Sequence, residues 1–140
     1  MIKEHGAHAV VLHARGEDFS AQVKQLTEMR GVDVVVDNVG TPLFEPTRKS
    51  LGVGGRWILI GQLTGDFVPF NPAQLFLKNQ SMLAVTSTSR VQLEDVMAMI
   101  ARGQIRPVVS KTLPLGAAAE AHAMIEAGRA VGRIILRPRA

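Results

Sequence analysis

From residue 8 onward, short apolar runs alternate with stretches of helical period, and this alternation constrains the fold more than any other feature of the chain. It is the pattern of βα units around a parallel sheet. Ala9-Val10-Val11-Leu12 reads as a buried strand, and Val32 to Asp37 as the strongest one. Its Val34-Val35-Val36 run suits a central parallel strand covered on both faces. Arg56 to Ile60, ending at Gly61, makes a third strand and Met82 to Thr86 a fourth.

Helices fall between these strands. Asp18 can cap a helix whose Phe19, Val23 and Leu26 share one face, with Arg30-Gly31 closing it. A second helix near Leu43 to Leu51 must carry Pro46 in its first turn. Asn71-Pro72 opens a short helix to Lys78. Leu93, Val96, Met97 and Ile100 recur at helical spacing before Gly103, so Met97 and Met99 read as core filler. In the last forty or so residues, Val108 to Leu113 is extended, Ala117 to Ala127 is helical up to Gly128, and Gly132 to Leu136 is a closing strand.

Composition narrows the class. The chain has 140 residues, 46% hydrophobic and 20% charged, enough apolar surface to form one ordered domain with a core. With no cysteine it holds no disulfide framework and no thiolate metal site. No stretch approaches the roughly 18 uninterrupted apolar residues of a membrane helix, and Met1-Ile2-Lys3-Glu4-His5 lacks a signal core. A soluble, cytoplasmic protein without membrane partners is expected. The net charge of +4 is C-terminal in origin: residues 1–70 carry seven Lys and Arg against eight Asp and Glu, residues 71–140 nine against four. These cations are scattered and lack interleaved aromatics, which argues for a solvated basic face rather than nucleic-acid binding.

Candidate sites were weighed against plainer alternatives. Gly52-Val53-Gly54-Gly55 follows a helix and enters a strand, whereas a phosphate loop leaves a strand and opens a helix, so it reads as a turn. His5, His8 and His13 have no accompanying carboxylates at ligand spacing, and no metal site is expected. The polar or small residues at strand ends are different, because ligands of open parallel sheets bind beyond the carboxyl ends of the strands. They are Asp37-Asn38-Val39-Gly40, Gly61-Gln62-Leu63 and Thr86-Ser87.

Four stretches, in order, carry a family resemblance: His5 to Val11, Arg30 to Gly40, Gly54 to Gly61, and the tail from Leu113-Pro114-Leu115 through Glu120-Ala121-His122 to Val131–Leu136. Together they resemble the medium-chain dehydrogenase/reductase superfamily of zinc-type alcohol dehydrogenases and zinc-free quinone oxidoreductases. The resemblance implies an α/β, three-layer, Rossmann-like fold that holds NAD or NADP. It implies that Asn38, Val39 and Gly40, with Ile60, Gly61, Gln62 and Leu63, lie near the cofactor's ribose and nicotinamide. Thr86 and Ser87 would border the nicotinamide pocket, and Arg133 would face the pyrophosphate. His13 stands where quinone oxidoreductases often have an adenine-side tyrosine.

The resemblance also implies parts that this chain lacks: the GroES-like catalytic domain with any zinc ligands, the first two Rossmann strands and the glycine-rich turn between strand and helix. Residues 1–107 would be a partial nucleotide-binding domain, and 108–140 a tail that packs on the catalytic domain. The chain is expected to be the C-terminal portion of such an enzyme, either starting at an internal methionine or having lost its N-terminal half. Strand Ala9–Leu12 would then lack its neighbour, and either moves beside Val32–Val36 or stays a loose edge. Ile125, Ile134, Ile135 and Leu136 would need another apolar surface, for which a homodimer through Met82–Thr86 is the expected remedy. The implied chemistry is hydride transfer between the nicotinamide and a carbonyl, alcohol or activated alkene. No catalytic residue is expected here, so the chain alone would be inactive. The alternative is a non-catalytic remnant or oligomerisation module.

Overall fold

The computed structural model describes residues 2–14 and 16–138. They form two compact units, Met1–Ser87 and Thr88–Ala140. In the first unit the order is α1 (Ser20–Leu26), β1 (Val32–Asp37), α2 (Phe44–Ser50), β2 (Leu51–Leu59), α3 (Ala73–Phe76) and β3 (Ser81–Ala84). The strands make one parallel sheet in the order β1-β2-β3.

Strand alternation sorts the side chains onto two faces. Val35, Trp57 and Met82 lie in register across the sheet and point to the face covered by α2. Trp57, fully buried, and Leu51 meet Phe44 of α2 there, with the Phe44 and Trp57 ring centroids 4.8 Å apart. Phe70, from the loop after β2, adds an edge-on contact to Phe44. Pro46 is tolerated because it is the third residue of α2, where its missing N–H has no intrahelical partner to lose.

α1 begins where the pattern indicated. The Asp18 carboxylate accepts the backbone N–H of Ser20 at 2.9 Å and the Lys49 ammonium at 3.0 Å, tying the start of α1 to α2. Hydrogen bonds from the Ser20 hydroxyl and N–H, then Lys49, hold the Asp18 carboxyl down to about 2. Glu45 is also lowered, chiefly by its hydrogen bond from Arg48.

Four expectations are corrected. Ala9–Leu12 forms no strand: it pairs with nothing, Val10 and Val11 are half-buried, and Leu12 is exposed. A strand needs a hydrogen-bonding neighbour, and β1 offers its free edge without receiving this segment. β1 is accordingly an edge strand rather than a central one. Val36 is 61% exposed and Val34 is also exposed, because the face they share with Leu83 is not covered among the described residues.

Gly52–Gly55 is not a turn but the first part of β2. Val32 pairs with Leu51 and Val34 with Arg56, so β2 bulges outward between the two pairs. The bulge exists because Gly31 and Gly52 bring two backbones into contact: a Cβ on Gly52 would lie 2.8 Å from the Arg30 carbonyl. Finally, Met97 is not core filler: it is 56% exposed, and Leu93 and Val91 on the same helix are exposed too.

That helix, α4 (Arg90–Ala101), opens the second unit with a capping box: Ser89 Oγ accepts from Gln92 N and Gln92 Oε1 accepts from Ser89 N. β4 (Val109–Pro114) and β5 (Arg133–Arg137) pair in parallel as a separate two-stranded sheet, joined through α5 (Ala118–Glu126). Leu113 and Ala121 are buried, and Lys111 bridges to Glu120 at 2.7 Å. Ile125 and Ile135 remain exposed.

Candidate functional site

β1 and β2 end side by side, Asp37 paired with Leu59, so the loops that follow emerge together at the carboxyl edge of the sheet. Asp37 governs both. Its carboxylate, 6% exposed, accepts the N–H groups of Val39 at 2.8 Å and Gly40 at 3.0 Å through Oδ1. Trp57 Nε1 donates to Oδ2 at 3.1 Å. The Asp37 main-chain carbonyl accepts Ile60 N at 2.8 Å and Gly61 N at 3.2 Å.

A second tie lies farther out. Gln62 Oε1 accepts Thr41 N at 3.0 Å, Gln62 Nε2 donates to Thr41 Oγ1 at 2.6 Å, and Thr41 and Thr64 share a hydroxyl hydrogen bond at 2.9 Å. Leu63 N donates to the Val39 carbonyl at 2.9 Å. Gly40 makes this closeness possible: its φ is +76°, and a Cβ there would collide with the Gln62 carboxamide. Gly61 is equally close to its neighbour, its Cβ position 2.9 Å from the Asn38 carbonyl oxygen.

Beside the tied loops opens a cleft of about 480 Å³, lined by His13, Gly16, Val39, Pro42, Leu43, Leu63 and Thr64. It is mostly apolar with a smaller polar share, a combination suited to a flat heterocycle and its sugar. The His13 ring stands 4.8 Å from Phe19, tilted by 40°, and its Nδ1 lies 2.9 Å from the Ala14 carbonyl. Leu59, Ile60, Gly61 and Gln62 line a smaller depression of about 260 Å³.

The structure thus draws most of the candidate residues into one neighbourhood of the first unit. His13, Val39 and Leu63 line the larger cleft and Ile60, Gly61 and Gln62 the smaller; Asn38 and Gly40 belong to the loop between them. Gln62 spends its side chain on Thr41 rather than pointing it outward. Thr86 and Ser87 are exposed in the segment after β3 and line neither cleft. Arg133 belongs to the second unit, where it starts β5 and donates its N–H to the Val108 carbonyl at 2.7 Å. Among the described residues no three His, Asp or Glu side chains come together as a metal site. No helix there is long and apolar enough to cross a membrane.

Sequence reasoning placed Asp37 at a candidate strand end without giving it a part in the site, and it missed Thr41. An aspartate two and three positions before the amides it accepts is an Asx-type turn signal, visible in Asp37-Asn38-Val39-Gly40. The indole partner could not be inferred, because it lies twenty residues away.

Comparison with known proteins finds relatives that share this sequence and fold. A family described as zinc-binding dehydrogenase matches residues 5–136. The acryloyl-coenzyme A reductase of Sulfurisphaera tokodaii is 29% identical over 139 residues, which is 99% of this chain and 40% of that protein. A crystal structure of an NAD-dependent alcohol dehydrogenase superposes with a TM-score of 0.82 at 34% identity, covering 96% of this chain and 39% of the other. A mycobacterial protein solved in complex with NADPH gives a TM-score of 0.76 at 28% identity, covering 97% and 44%. The chain spans well under half the length of these relatives. Its sheet is part of a Rossmann-like domain.

Proposed function

The chain belongs to the zinc-binding dehydrogenase family, and on that premise we propose that its first unit supplies the ribose and nicotinamide side of an NAD(P)H site. One observation carries the reading. The two strand-end loops, Asn38–Gly40 and Ile60–Leu63, are fastened to each other beside an apolar cleft of about 480 Å³, where a parallel sheet receives its ligand.

The residues present fit the cofactor in kind. Gly40 and Gly61 let the two loops lie against each other, since a Cβ on either would meet the opposite loop. Val39, Leu43 and Leu63 offer an apolar surface that would exclude water from one face of a bound ring. His13, beside Phe19, would take the outer end of the ligand, and Thr86 and Ser87 would join from outside the two clefts; Arg133, in the second unit, carries a guanidinium suited to a pyrophosphate. When bound, the nicotinamide supplies the hydride acceptor or donor, and the protein supplies placement.

The reaction of the whole enzyme would be hydride transfer to or from a carbonyl, alcohol or activated alkene. Among the described residues no His, Asp and Glu cluster offers the ligand set a zinc ion would need. Residues 1–107 would serve the nucleotide and 108–140 the remainder of the enzyme, with the isolated chain binding weakly and turning nothing over.

Calorimetric titration tests this reading. NADPH or NADH should give a saturable isotherm with a Kd of about 0.1–1 mM. No heat and no thermal shift at millimolar cofactor would favour the non-catalytic remnant.

A second reading, self-association, is favoured by one specific observation: the exposed apolar row Val34, Val36, Leu83 and Val85 on a sheet whose β3 is an edge. A homodimer through Met82–Thr86 would pair that edge. Sedimentation should then show a dimer at micromolar concentration that dissociates on introducing Leu83→Lys, whereas a monomer at every concentration contradicts it.

A further inference from the structure

Asp37 is more deeply committed than a turn residue needs to be. An Asx turn can be made at the surface by a solvated side chain, yet this carboxylate is buried and, among the described residues, no Lys or Arg side chain donates to it. A buried carboxylate is tolerated only when strong donors replace its water. Here the three donors are two loop amides and the indole of a fully buried tryptophan. Trp57 is held by Phe44 at 4.8 Å, so its N–H has a fixed direction, and Oδ2 is pinned to the core while Oδ1 faces the loop.

We propose that Asp37 is a positioning residue of the nucleotide site: gripped by Trp57, it sets the backbone of Asn38–Gly40 through its carboxylate and that of Ile60–Gly61 through its carbonyl. The inference rests on the nucleotide-binding reading for its ligand. Two loops meant to receive one ligand must keep a fixed spacing, and one residue with four amides on its oxygens provides it. Asparagine cannot substitute. A carboxamide has a single acceptor oxygen, so its NH2 must face either the indole N–H or the two loop amides, donor against donor.

The test uses the full chain with Asp37→Asn, which keeps the side chain's shape, and Trp57→Phe, which keeps an aromatic ring and removes the N–H. Amide hydrogen exchange and NADPH titration are measured on each. Exchange at Val39 and Gly40 should accelerate about tenfold in both variants while the β2–β3 ladder amides stay protected, and the NADPH Kd should rise about tenfold. A merely structural role would instead accelerate exchange throughout the unit and leave the affinity of the folded fraction unchanged; that result overturns the proposal, as does wild-type exchange at Val39 and Gly40. If the unmodified chain binds neither NADPH nor NADH, the nucleotide reading fails. The exchange data then decide alone: acceleration confined to Val39 and Gly40 upholds the positioning role, and its absence refutes it.

Discussion

Trp57→Ala is expected to unfold the Met1–Ser87 unit at room temperature. The indole is the largest fully buried side chain, and the rest of the core is small: Phe44 and Leu51, with Val35, Leu59 and Met82 partly covered around them. Removing a buried Trp or Phe side chain costs about 3–5 kcal/mol in transfer and cavity terms. The substitution also takes a donor from the buried Asp37 carboxylate, adding about 1–3 kcal/mol. A whole domain is stable by only about 5–15 kcal/mol, and small units lie at the low end because they bury less of their surface. Far-ultraviolet circular dichroism during urea titration should show no folded baseline for this variant. A midpoint within a few tenths molar of the unmodified chain would mean that this core is not what holds the unit.

The second large effect is at a residue with no side chain. Gly31→Ala places a Cβ 2.6 Å from Gly52 N, 2.8 Å from the Leu51 carbonyl carbon and 2.8 Å from the Ser50 carbonyl oxygen. All three are backbone atoms where α2 passes into β2, so nothing can rotate away. Gly31 also has φ +83°, a conformation that costs an alanine about 1–2 kcal/mol. The strain and the clash add to a loss of about 3 kcal/mol or more, with β2 displaced from β1 at the bulge. Gly54→Ala is the control. Its φ of +72° carries similar strain, but its Cβ position meets nothing within 4 Å, so its cost should stay near the strain of about 1–2 kcal/mol. Thermal melts of the two variants side by side check the difference; equal losses would show that the close approach of the two backbones contributes nothing.

These two residues also show how far the sequence could be read. The strand at Val32–Asp37, the helix start at Asn71-Pro72 and the closing βαβ arrangement of the tail follow from local pattern, because periodicity and capping chemistry act over a few residues. Gly52–Gly55 misled because its glycines look like a turn. Gly52 instead serves a close approach to Arg30 and Gly31, which are distant in sequence. Val34-Val35-Val36 misled for the opposite reason: the run is apolar enough for a strand covered on both sides, yet here one face is uncovered, and no property of the run itself reports its neighbours. Ala9–Leu12 has strand composition and no partner, and a ladder cannot form from composition alone.

The candidate site was legible in part. Strand-end position singled out Asn38–Gly40 and Gly61–Leu63, and the structure ties these loops together. The tie itself depends on Gln62 meeting Thr41 across 21 residues and on Asp37 meeting Trp57 across 20. Such pairings come from sheet register, which no window along the chain contains.

The most direct test of the central claim is an NMR titration of the isotopically labelled chain with NADPH. The account predicts progressive amide shifts at Val39, Gly40, Gly61, Gln62 and Leu63, with smaller ones at His13 and Gly16, and little change along the exposed face of β3. Shifts absent at millimolar NADPH, or scattered over the surface without a focus at the two loops, would contradict it.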